Sequence, residues 1–521
     1  MTRTRFAPSP TGYLHIGGVR SALFCWLFAR KHQGQFILRI DDTDAQRNVE
    51  EALAPILHGF RWLGLNWDEG PEVGGPHEPY YQSQRLERYQ QAVQQLLDKG
   101  LAYRDYATTD EVKVEREAAE KEKRQFVYSR QWMADTPEKQ AAFEAEGRQG
   151  VVRLLMPREG KLVLNDLIRG QVEFDWSREQ DHVIQRADGT CLYHLANVVD
   201  DFDFQITHVI RAEEHLSNTA RQVFIVDGLG YPRPAYAHLP FVAEPGSKTK
   251  LSKRKIPQYL KNKGFAGIYE HGCQIARALK LTISEDTFNP VIVDFYEQVG
   301  YLPQAILNYL LLVGWSLDDK TEYFTLPEMI EHFSLERVIK APASFDPDKL
   351  LAFQSHYMNL LGTEEKLALT LPFLLKAGMI SDPEDFDVRK KVARIIIACC
   401  DRLKVSGDIL LQADFFFTPD EQLEYSPKDF EKRVKSPGAC ERLQKIREHL
   451  APLDDFSVPS LEQSIHQFVE SQGLKIGDIV HVLRVSTTGR SVGPGLYDCL
   501  SILGRPSVLA RMDRALELAQ K

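Results

Sequence analysis

The stretch Thr2-Arg-Thr-Arg-Phe-Ala-Pro-Ser-Pro-Thr-Gly-Tyr-Leu-His-Ile-Gly-Gly-Val19 decides the fold of this chain. It begins as a strand-like run, passes through a turn with proline and glycine, and enters a helix predicted over residues 18–31. That helix is predicted because apolar residues recur at helical spacing, namely Val19, Ala22, Leu23, Trp26 and Leu27. A helix that starts directly after a strand presents free backbone N–H groups and its positive dipole end, so this segment favours a bound phosphate.

A second basic cluster, Lys250-Leu-Ser-Lys-Arg-Lys255, lies far downstream. Alone it is typical of an exposed loop, and a lone histidine near a helix start is typical of a cap. Together, in this order, the two elements predict a nucleotide site. There the cations would neutralise charge on an α-phosphate under attack, a reaction that needs positioning and electrostatic stabilisation but no covalent nucleophile. The predicted catalytic residues are His15, Gly17, Gly18, Lys250, Ser252 and Lys253.

The bulk composition is that of a large globular protein. The chain has 521 residues, of which 43% are hydrophobic and 26% charged, enough for about three to five domains. It contains neither an apolar run long enough to span a membrane nor an apolar N-terminal signal segment, so we expect no membrane association. The net charge of −9 argues against a protein that coats nucleic acid indiscriminately, yet it allows RNA to bind at local basic patches.

The seven cysteines predict neither a zinc ribbon nor a disulfide framework. Their number is odd and no pair has CxxC spacing. We therefore expect a cytoplasmic protein in a reducing compartment.

Strands and helices alternate in the first hundred residues. The mostly apolar run Gln35–Ile40 predicts a strand that presents Asp41–Asp44 at its end, and residues 47–64 and 83–99 predict helices. This alternation predicts an α/β fold with a Rossmann-type doubly wound parallel sheet, which binds ligands at the carboxyl ends of its strands.

An inserted α+β segment interrupts the sheet domain. Residues 108–124 predict a charged helix with a solvated face, RNA contact being the alternative, and residues 150–176 predict strands and turns. Strand-like sequence then resumes at Cys191–Asp200 and Ile206–Arg211.

Beyond about residue 290 the sequence predicts only amphipathic helices, such as Gln304–Gly314, Val388–Leu403 and Val508–Gln520. The chain is therefore expected to divide into five segments. These are the first half of the sheet domain (1–100), an inserted domain (101–190), the second half of the sheet domain (191–255), an insertion with a connecting region (256–340) and an all-helical region (341–521).

Several segments resemble bacterial-type glutamyl-tRNA synthetases, a family of class I aminoacyl-tRNA synthetases. His15-Ile-Gly-Gly18 is similar to the family's HIGH signature, and Lys250-Leu-Ser-Lys-Arg254 is similar to its KMSKS signature. The resemblance extends over Arg5–Leu23, Leu38–Asp44, Tyr193–Asp201, Thr207–Glu214, Gly300–Tyr309 and Ser344–Leu350.

The resemblance implies that ATP, accompanied by Mg²⁺, activates L-glutamate to glutamyl-adenylate. The glutamyl group would then pass to tRNA(Glu), with release of AMP and pyrophosphate. The inserted domain would bind the acceptor stem and the helical half the anticodon, and we expect a monomer.

The resemblance also implies which residues bind the substrates. For glutamate they are Arg5, Tyr193 and Asn197 at the side-chain carboxylate, Arg211 at the α-carboxylate, and Ser9 and Asp41 at the ammonium group; for ATP they are His15, Gly18, Lys253 and, at the ribose, Glu214. An arginine can hold a carboxylate at two points, which a lysine cannot, although a structural salt bridge is the alternative for either arginine. A buried guanidinium would also reject glutamine, so no editing domain is expected. Loss of Lys253 is expected to slow adenylate formation by about 10²–10³.

Three features depart from the family pattern. Asp41 stands where relatives usually have glutamate, so an ammonium contact would need a backbone shift or a bridging water. Ala102–Ala107 has no cysteine where many relatives bind zinc, so we expect no zinc. The segment Ile256–Pro290 is expected to be an insertion, either a surface excursion or a modulator of the lysine loop.

The helical half is expected to read unstacked anticodon bases with aromatic and arginine side chains. Arg394 and Arg402 are candidates, whereas Phe415–Phe417 is expected in the core.

Four other assignments account for the sequence less well. A glutaminyl enzyme would carry a β-barrel anticodon domain, and a truncated relative that glutamylates a tRNA base lacks the helical half. A metabolite nucleotidyltransferase would not need about 200 helical residues, and an inactive tRNA-binding paralogue would not need the intact site. The sequence leaves open whether tRNA(Gln) is charged as well.

Overall fold

A computed structural model describes residues 1–10, 12–43, 49–252 and 255–521 of the chain. These residues form two compact units. The first comprises Met1–Tyr259, Val291–Asp294 and Leu307–Asp346; the second comprises Leu260–Pro290, Phe295–Ile306 and Pro347–Lys521.

The strands are short and lie mostly in the first 250 residues. They are β1 (Arg3–Phe6), β2 (Gln35–Leu38), β3 (Ala102–Asp105), β4 (Met133–Ala134), β5 (Val151–Leu154), β6 (Lys161–Asp166), β7 (Gly170–Asp175), β8 (Val183–Gln185), β9 (His208–Ala212), β10 (Ala235–Leu239), β11 (Val242–Ala243) and β12 (Ala343–Ser344).

Helices are found throughout the chain and dominate its second half. They are α1 (Ile16–Lys31), α2 (Val49–Trp62), α3 (Leu86–Asp98), α4 (Thr109–Lys121), α5 (Pro137–Ala145), α6 (Tyr193–Asp203), α7 (Thr219–Leu229), α8 (Ile256–Tyr259), α9 (Lys263–Ala278), α10 (Val293–Val299), α11 (Pro303–Leu312), α12 (Leu326–His332), α13 (Pro347–Leu360), α14 (Thr363–Lys376), α15 (Phe386–Cys399), α16 (Asp408–Gln412), α17 (Pro427–Arg433), α18 (Ala439–Leu450), α19 (Val458–Ser471), α20 (Ile476–Thr488), α21 (Leu496–Leu503) and α22 (Arg505–Gln520).

A parallel sheet forms the centre of the first unit. β1 pairs in parallel with β2, and β9 pairs in parallel with β10. The two pairs lie side by side through β1 and β9, and the Thr207 amide donates to the Arg3 carbonyl at 3.0 Å. Helix α1 follows β1 and is buried on nearly every face, as expected for a helix inside a core rather than on a surface. The predicted α/β class with a parallel sheet is confirmed.

The prediction of a strand over Cys191–Asp200 is wrong, because this stretch begins helix α6. The run from Leu195 to Asp201 is buried without interruption, so its apolar residues do not alternate between a wet and a dry face. A short apolar run of this kind fits a buried strand and a buried helix equally well by periodicity, and Val198 and Val199 favoured the strand. The second predicted strand, Ile206–Arg211, is confirmed as β9.

The inserted α+β segment is confirmed as well. It contains an antiparallel sheet in the order β4-β3-β5-β8 and the hairpin β6–β7. The charged helix α4 begins at a capping box in which Thr108 and Glu111 bond reciprocally, which satisfies amides at the helix start. The cysteine-free stretch Ala102–Ala107 supplies the inner strand β3.

The second unit is built of helices, as the sequence predicted. The helices expected near residues 388–403 and 508–520 correspond to α15 and α22. Of the three phenylalanines predicted in the core, Phe415 and Phe416 are buried, as expected, whereas Phe417 is half-buried. Arg394 and Arg402 lie at the surface.

Two further predictions concern the chain as a whole. All seven cysteines are free thiols. Within the ranges given above, no helix combines the length and the apolar character that crossing a bilayer requires.

Candidate active site

A cavity of about 880 Å³ opens in the first unit, where β1 and β9 end. Twelve of the thirteen residues predicted to act on substrates line it: Arg5, Ser9, His15, Gly17, Gly18, Asp41, Tyr193, Asn197, Arg211, Glu214, Lys250 and Ser252. Lys253, the thirteenth, lies outside the described residues, as do Arg254 and Asp44 of the same motifs. Segments more than two hundred residues apart in sequence therefore meet at one concave surface.

His15 is the N-cap of helix α1. Its Nδ1 accepts a hydrogen bond from the Gly17 amide at 2.9 Å, and its carbonyl accepts from the Gly18 amide at 2.8 Å. A Cβ atom at position 17 would lie 3.2 Å from this Nδ1, so glycine makes room for the imidazole. Both glycine amides, which the sequence suggested for phosphate contact, are thus engaged by His15. In the neutral ring this arrangement places the proton on Nε2, where it can be donated.

A buried cluster of charges supports one wall of the cavity. Arg39, fully buried, donates to both carboxylate oxygens of Asp41 (2.7 and 3.3 Å) and to Asp201 (2.7 Å). Arg5 donates to the two oxygens of Asp201 at 3.1 and 3.3 Å. Asp200, below them, accepts from Arg85 at 2.8 Å. Charges so deep in a protein are costly unless they are paired and hydrogen-bonded, as these are.

The three carboxylates of this cluster differ in proton affinity. Burial acts to raise the pKa of Asp201, but Arg5 and Arg39 outweigh it and the pKa is lowered. At Asp41 burial outweighs the attraction of Arg39 and Arg5, and the pKa is raised. Burial likewise raises the pKa of Asp200 to about 6. Because Asp41 already uses both oxygens on Arg39, its predicted ammonium contact stays a prediction.

Arg211 is a further buried arginine of the site, but its hydrogen-bond partners differ from those of Arg5 and Arg39. Its Nε donates to His238 Nε2 at 3.1 Å and its Nη2 donates to Thr219 at 2.9 Å, while Nη1 is buried with no partner. His238 is held in turn by Asp166 at 2.6 Å. No carboxylate within the described ranges pairs with Arg211, and burial lowers its pKa. An uncompensated guanidinium beside a cavity suits an anion, since a carboxylate there would satisfy both charge and donor.

The remaining predicted glutamate contacts are arranged around these arginines. The Tyr193 hydroxyl lies 3.5 Å from His215 Nδ1. Asn197 Oδ1 accepts from Gln222 Nε2 at 3.2 Å, which leaves the Asn197 N–H donors for the cavity. Ser9 is exposed and lines the cavity.

The start of the lysine motif is anchored to the sheet domain. Lys250 forms an ion pair with Glu214, and both residues line the cavity. The Leu251 amide donates to Val242 and the Ser252 amide to the Tyr259 hydroxyl, both at 2.9 Å. Glu214, which the sequence suggested for the ATP ribose, is therefore engaged by the first lysine of the motif.

Comparison with known proteins decides the family. A model described as "tRNA synthetases class I (E and Q), catalytic domain" matches residues 1–281 and 284–352, and one described as "Anticodon binding domain" matches residues 365–516. The chain belongs to the class I tRNA synthetases. Members of this family attach an amino acid to tRNA using ATP.

Individual relatives support the same assignment. "Glutamate--tRNA ligase" of Moorella thermoacetica is 42% identical over 513 residues, covering 98% of this chain and 97% of the relative. "Glutamate--tRNA ligase 1" of Caldanaerobacter subterraneus subsp. tengcongensis is 40% identical over 519 residues, covering 100% and 98%. A crystal structure of a glutamate tRNA ligase from Elizabethkingia meningosepticum, in complex with its amino acid, superposes with a TM-score of 0.83 at 32% identity and 99% coverage of both chains. The resemblance inferred from the motifs is confirmed.

Sequence reasoning missed the residues that hold the site in place. Arg39, Asp201 and Gln222 each bond a predicted substrate contact, but none of the three was itself predicted to be part of the site. The sequence does contain one indication of the role of Arg39, because this residue is the single charge inside the mostly apolar run Gln35–Ile40. A charge in a buried strand needs partners, and the acidic pair Asp200–Asp201 was available.

Proposed function

We propose that this synthetase ligates L-glutamate to tRNA(Glu) through a glutamyl-adenylate. The observation that carries the proposal is the pairing, around one cavity, of a capped helix start with two buried guanidinium groups, Arg5 and Arg211. Glutamate carries two carboxylates, and the two arginines offer one fork for each. The names of the relatives, glutamate–tRNA ligases, support the same amino acid.

The chemistry needs no protein nucleophile. An oxygen of the glutamate α-carboxylate attacks the α-phosphorus of ATP, and pyrophosphate leaves with the electron pair of the broken P–O bond. A hydroxyl of the terminal tRNA ribose then attacks the activated carbonyl carbon and gives up its proton to a phosphate oxygen of AMP, which leaves with the electron pair of the broken C–O bond. We assign the His15 Nε2 proton and the Lys250 ammonium to charge stabilisation on the phosphates, with Lys253 as a further cation.

Magnesium would enter with ATP. Within the described ranges, no group of three or more His, Cys, Asp or Glu side chains is arranged to hold a metal. Mg²⁺ commonly binds through substrate phosphates, waters and only one or two carboxylates, so the proposed Mg–ATP substrate does not require such a group. We further propose that the chain needs no zinc, acts as a monomer in the cytoplasm, and binds the acceptor stem through residues 101–190 and the anticodon through residues 341–521.

Aminoacylation tests the proposal directly. Purified protein is incubated with ATP, Mg²⁺, labelled glutamate and either tRNA(Glu) or tRNA(Gln), with tRNA present in every activation assay. We expect glutamyl-tRNA(Glu), and no product when labelled glutamine replaces glutamate. A folded protein that forms no glutamyl-tRNA(Glu) would instead be a tRNA-binding paralogue.

A conservative substitution sharpens the test. Arg211→Lys keeps the positive charge but loses the two-point contact of the guanidinium with a carboxylate. We therefore expect glutamate KM to rise by about tenfold to a hundredfold, the factor that corresponds to losing a hydrogen bond to a charged group. Arg233→Lys is the matched control, because Arg233 pairs with Asp227 at the surface. Equal kinetics in the two variants would remove Arg211 from the glutamate site.

A further inference from the structure

His238 is a buried histidine to which the proposed reaction assigns no role. It lies on β10, directly opposite Arg211 on β9 in the register of the parallel pair, and it is fully buried. Its ring bonds two residues at once, Asp166 through Nδ1 at 2.6 Å and Arg211 through Nε2 at 3.1 Å. The ring therefore connects Asp166, at the end of β6 in the inserted segment, to an arginine that lines the active-site cavity.

These hydrogen bonds fix the tautomer of the His238 ring. An arginine Nε always carries a proton, so His238 Nε2 has to accept from Arg211. The ring proton is then on Nδ1, where it is donated to Asp166. Burial lowers the pKa of His238 and so favours the neutral ring. Only the neutral ring has a nitrogen that can accept from Arg211.

Asp166 is held in the form that this tautomer requires. Its Oδ1 accepts from the amides of Ile168 at 2.9 Å and Arg169 at 2.8 Å, and its Oδ2 accepts from the His238 amide at 3.1 Å as well as from the ring. Burial acts to raise the pKa of Asp166, but the hydrogen bonds, above all that from His238, outweigh it and the pKa is lowered. An ionised carboxylate can only accept, so the ring nitrogen that faces it has to donate.

The guanidinium of Arg211 is held at two points. Its Nε donates to His238 and its Nη2 donates to Thr219 Oγ1 at 2.9 Å. Because a guanidinium is planar and rigid, two contacts define its orientation, whereas the Thr219 contact alone would let it turn. His238 is therefore the partner that removes the remaining freedom of Arg211.

We propose that His238 is a positioning residue: in the tautomer that Asp166 imposes, its Nε2 holds the Arg211 guanidinium in the orientation that receives the α-carboxylate of glutamate. Since His238 is fully buried, it acts through Arg211 and not on the substrate. An arginine oriented in advance loses less freedom when the carboxylate binds. This role rests on the proposed function, in which Arg211 binds that carboxylate.

Two amide substitutions separate the two ring nitrogens. In His238→Gln the side-chain oxygen can replace Nε2 as the acceptor for Arg211. In His238→Asn, whose amide is one bond closer to the backbone, the nitrogen replaces Nδ1 as the donor to Asp166, and Arg211 loses its acceptor. We expect glutamate KM to rise by about tenfold to a hundredfold in His238→Asn but by less than about threefold in His238→Gln, since only the first loses a hydrogen bond to a charged group. The ATP KM should stay unchanged in both, and equal glutamate KM values would overturn the proposal.

Asp166→Asn tests the tautomer. The asparagine oxygen keeps the amides of Ile168 and Arg169, which places its N–H₂ group opposite His238 Nδ1. The ring proton would then move to Nε2 and face the Nε–H of Arg211, so we expect glutamate KM to rise by about tenfold or more. In the His238→Gln background, which has no tautomer to change, Asp166→Asn should cause no further rise. The same rise in both backgrounds would mean that Asp166 contributes to structure alone and sets no tautomer.

His271→Asn is the matched control for the histidine substitutions. The His271 ring also bonds an aspartate, Asp408, at 2.5 Å, but both residues belong to the second unit. Its glutamate KM should equal that of the unaltered chain, and a rise as large as that in His238→Asn would refute a specific role for His238. Circular dichroism shows whether each variant is folded; if Asp166→Asn is not, the two His238 variants still decide.

NMR of the histidine ring nitrogens gives a readout that does not depend on activity. The signals of His238 are those lost in His238→Gln, and we expect its proton on Nδ1 in the unaltered chain and on Nε2 in Asp166→Asn. A proton on Nε2 in the unaltered chain would contradict the tautomer. Failure of the unaltered chain to charge tRNA(Glu) would refute the proposed function and the positioning role with it. Normal charging with equal glutamate KM in the two His238 variants would refute the positioning role alone.

Discussion

Asp201 holds Arg5 along one edge of its guanidinium, with Arg5 Nε 3.1 Å from Oδ1 and Nη2 3.3 Å from Oδ2. A guanidinium has two such edges, and a carboxylate on one leaves the other, formed by Nη1 and Nη2, for a second carboxylate. Arg39 donates to the same Asp201 at 2.7 Å, so the supporting carboxylate is itself fixed. Arg5 is thus oriented before any substrate arrives, which reduces the ordering cost of binding.

Asp201→Asn is expected to weaken glutamate binding. The amide keeps the shape of the carboxylate but loses its charge, and its N–H₂ group would face the donors of Arg5 or Arg39. We expect glutamate KM to rise by about tenfold or more, an unchanged ATP KM, and a loss of about 3 kcal/mol in unfolding free energy. Steady-state aminoacylation and urea unfolding provide these values.

Asp227→Asn is the control for that variant. Asp227 also pairs with an arginine, Arg233, but both side chains are nearly half exposed. Surface ion pairs contribute about 0–1 kcal/mol to the free energy of unfolding, so the stability of this variant should hardly change. Its glutamate KM should not change either. If Asp201→Asn behaved like this control, Arg5 would not depend on Asp201 for its position.

The sequence predicted the elements and contacts that depend on local pattern. Apolar spacing predicted α1, and the strand–turn–helix order predicted the place of His15, because both are encoded within a few residues. Helix α6 was misread as a strand, since an uninterrupted buried run has no period to distinguish the two. The supporting contacts of Asp201 and Gln222 were missed because they join residues far apart in sequence. Such pairings follow from the packing of the sheet and helices, which a local pattern does not specify.

His15→Asn is expected to separate the structural contribution of His15 from its chemical one. Asparagine is among the strongest N-cap residues, so the Gly17 amide keeps an acceptor and helix α1 keeps its start. The imidazole donor is lost, and we expect adenylate formation to slow by about 10²-fold or more. ATP–pyrophosphate exchange with tRNA present measures the rate, and thermal unfolding measures the stability.

His15→Ala completes the comparison. It removes the cap as well as the donor, so we expect a similar rate and a further loss of about 1 kcal/mol in stability. An adenylate rate in His15→Asn equal to that of the unaltered enzyme would show that His15 acts only as a cap.

Acid is expected to destabilise the first unit through two neighbouring histidines. Burial, reinforced by the positive charge of Arg221, lowers the pKa of His182 to about 4 and that of His194 to about 3. Their rings lie 5.7 Å apart between centroids. In the unfolded chain histidine titrates near pH 6.5, so below that pH the unfolded state binds protons that the folded state does not. The stability contributed by neutral histidines is therefore complete above about pH 6.5 and falls as the pH drops towards 4.

Urea unfolding between about pH 7 and pH 5 tests this expectation, with each histidine contributing at most about 1.4 kcal/mol per pH unit. In His194→Gln the loss of stability on acidification should be smaller, and smaller still when His182→Gln is added. An identical pH dependence in the unaltered chain and the double variant would show that these histidines do not contribute.

Arg511→Met is expected to destabilise the helical unit strongly. The Arg511 side chain, 1% exposed on α22, bonds Asp420 at 2.6 Å and the carbonyls of Thr487, Phe415 and Thr418, each at 2.9 Å. Methionine has a similar length but donates to none of them. It would leave three carbonyls without this donor, at about 1–3 kcal/mol for each buried acceptor left unpaired, whereas Asp420, 27% exposed, keeps its hydrogen bond from Ser507. Urea unfolding of the full chain, followed by circular dichroism at a helix-sensitive wavelength, measures the loss.

Arg447→Met is the matched control in the same unit. Arg447 bonds both oxygens of Asp513 at 2.8 Å, as good a geometry as that of Arg511, but the two side chains are 29% and 45% exposed. Solvent screens such a pair and hydrates the partner that remains, so the loss should stay below about 1 kcal/mol. Because the two substitutions are chemically identical, the difference between them measures the combined effect of the burial of Arg511 and its three carbonyl contacts. Equal losses would mean that the carbonyl contacts of Arg511 contribute nothing beyond an ordinary surface ion pair.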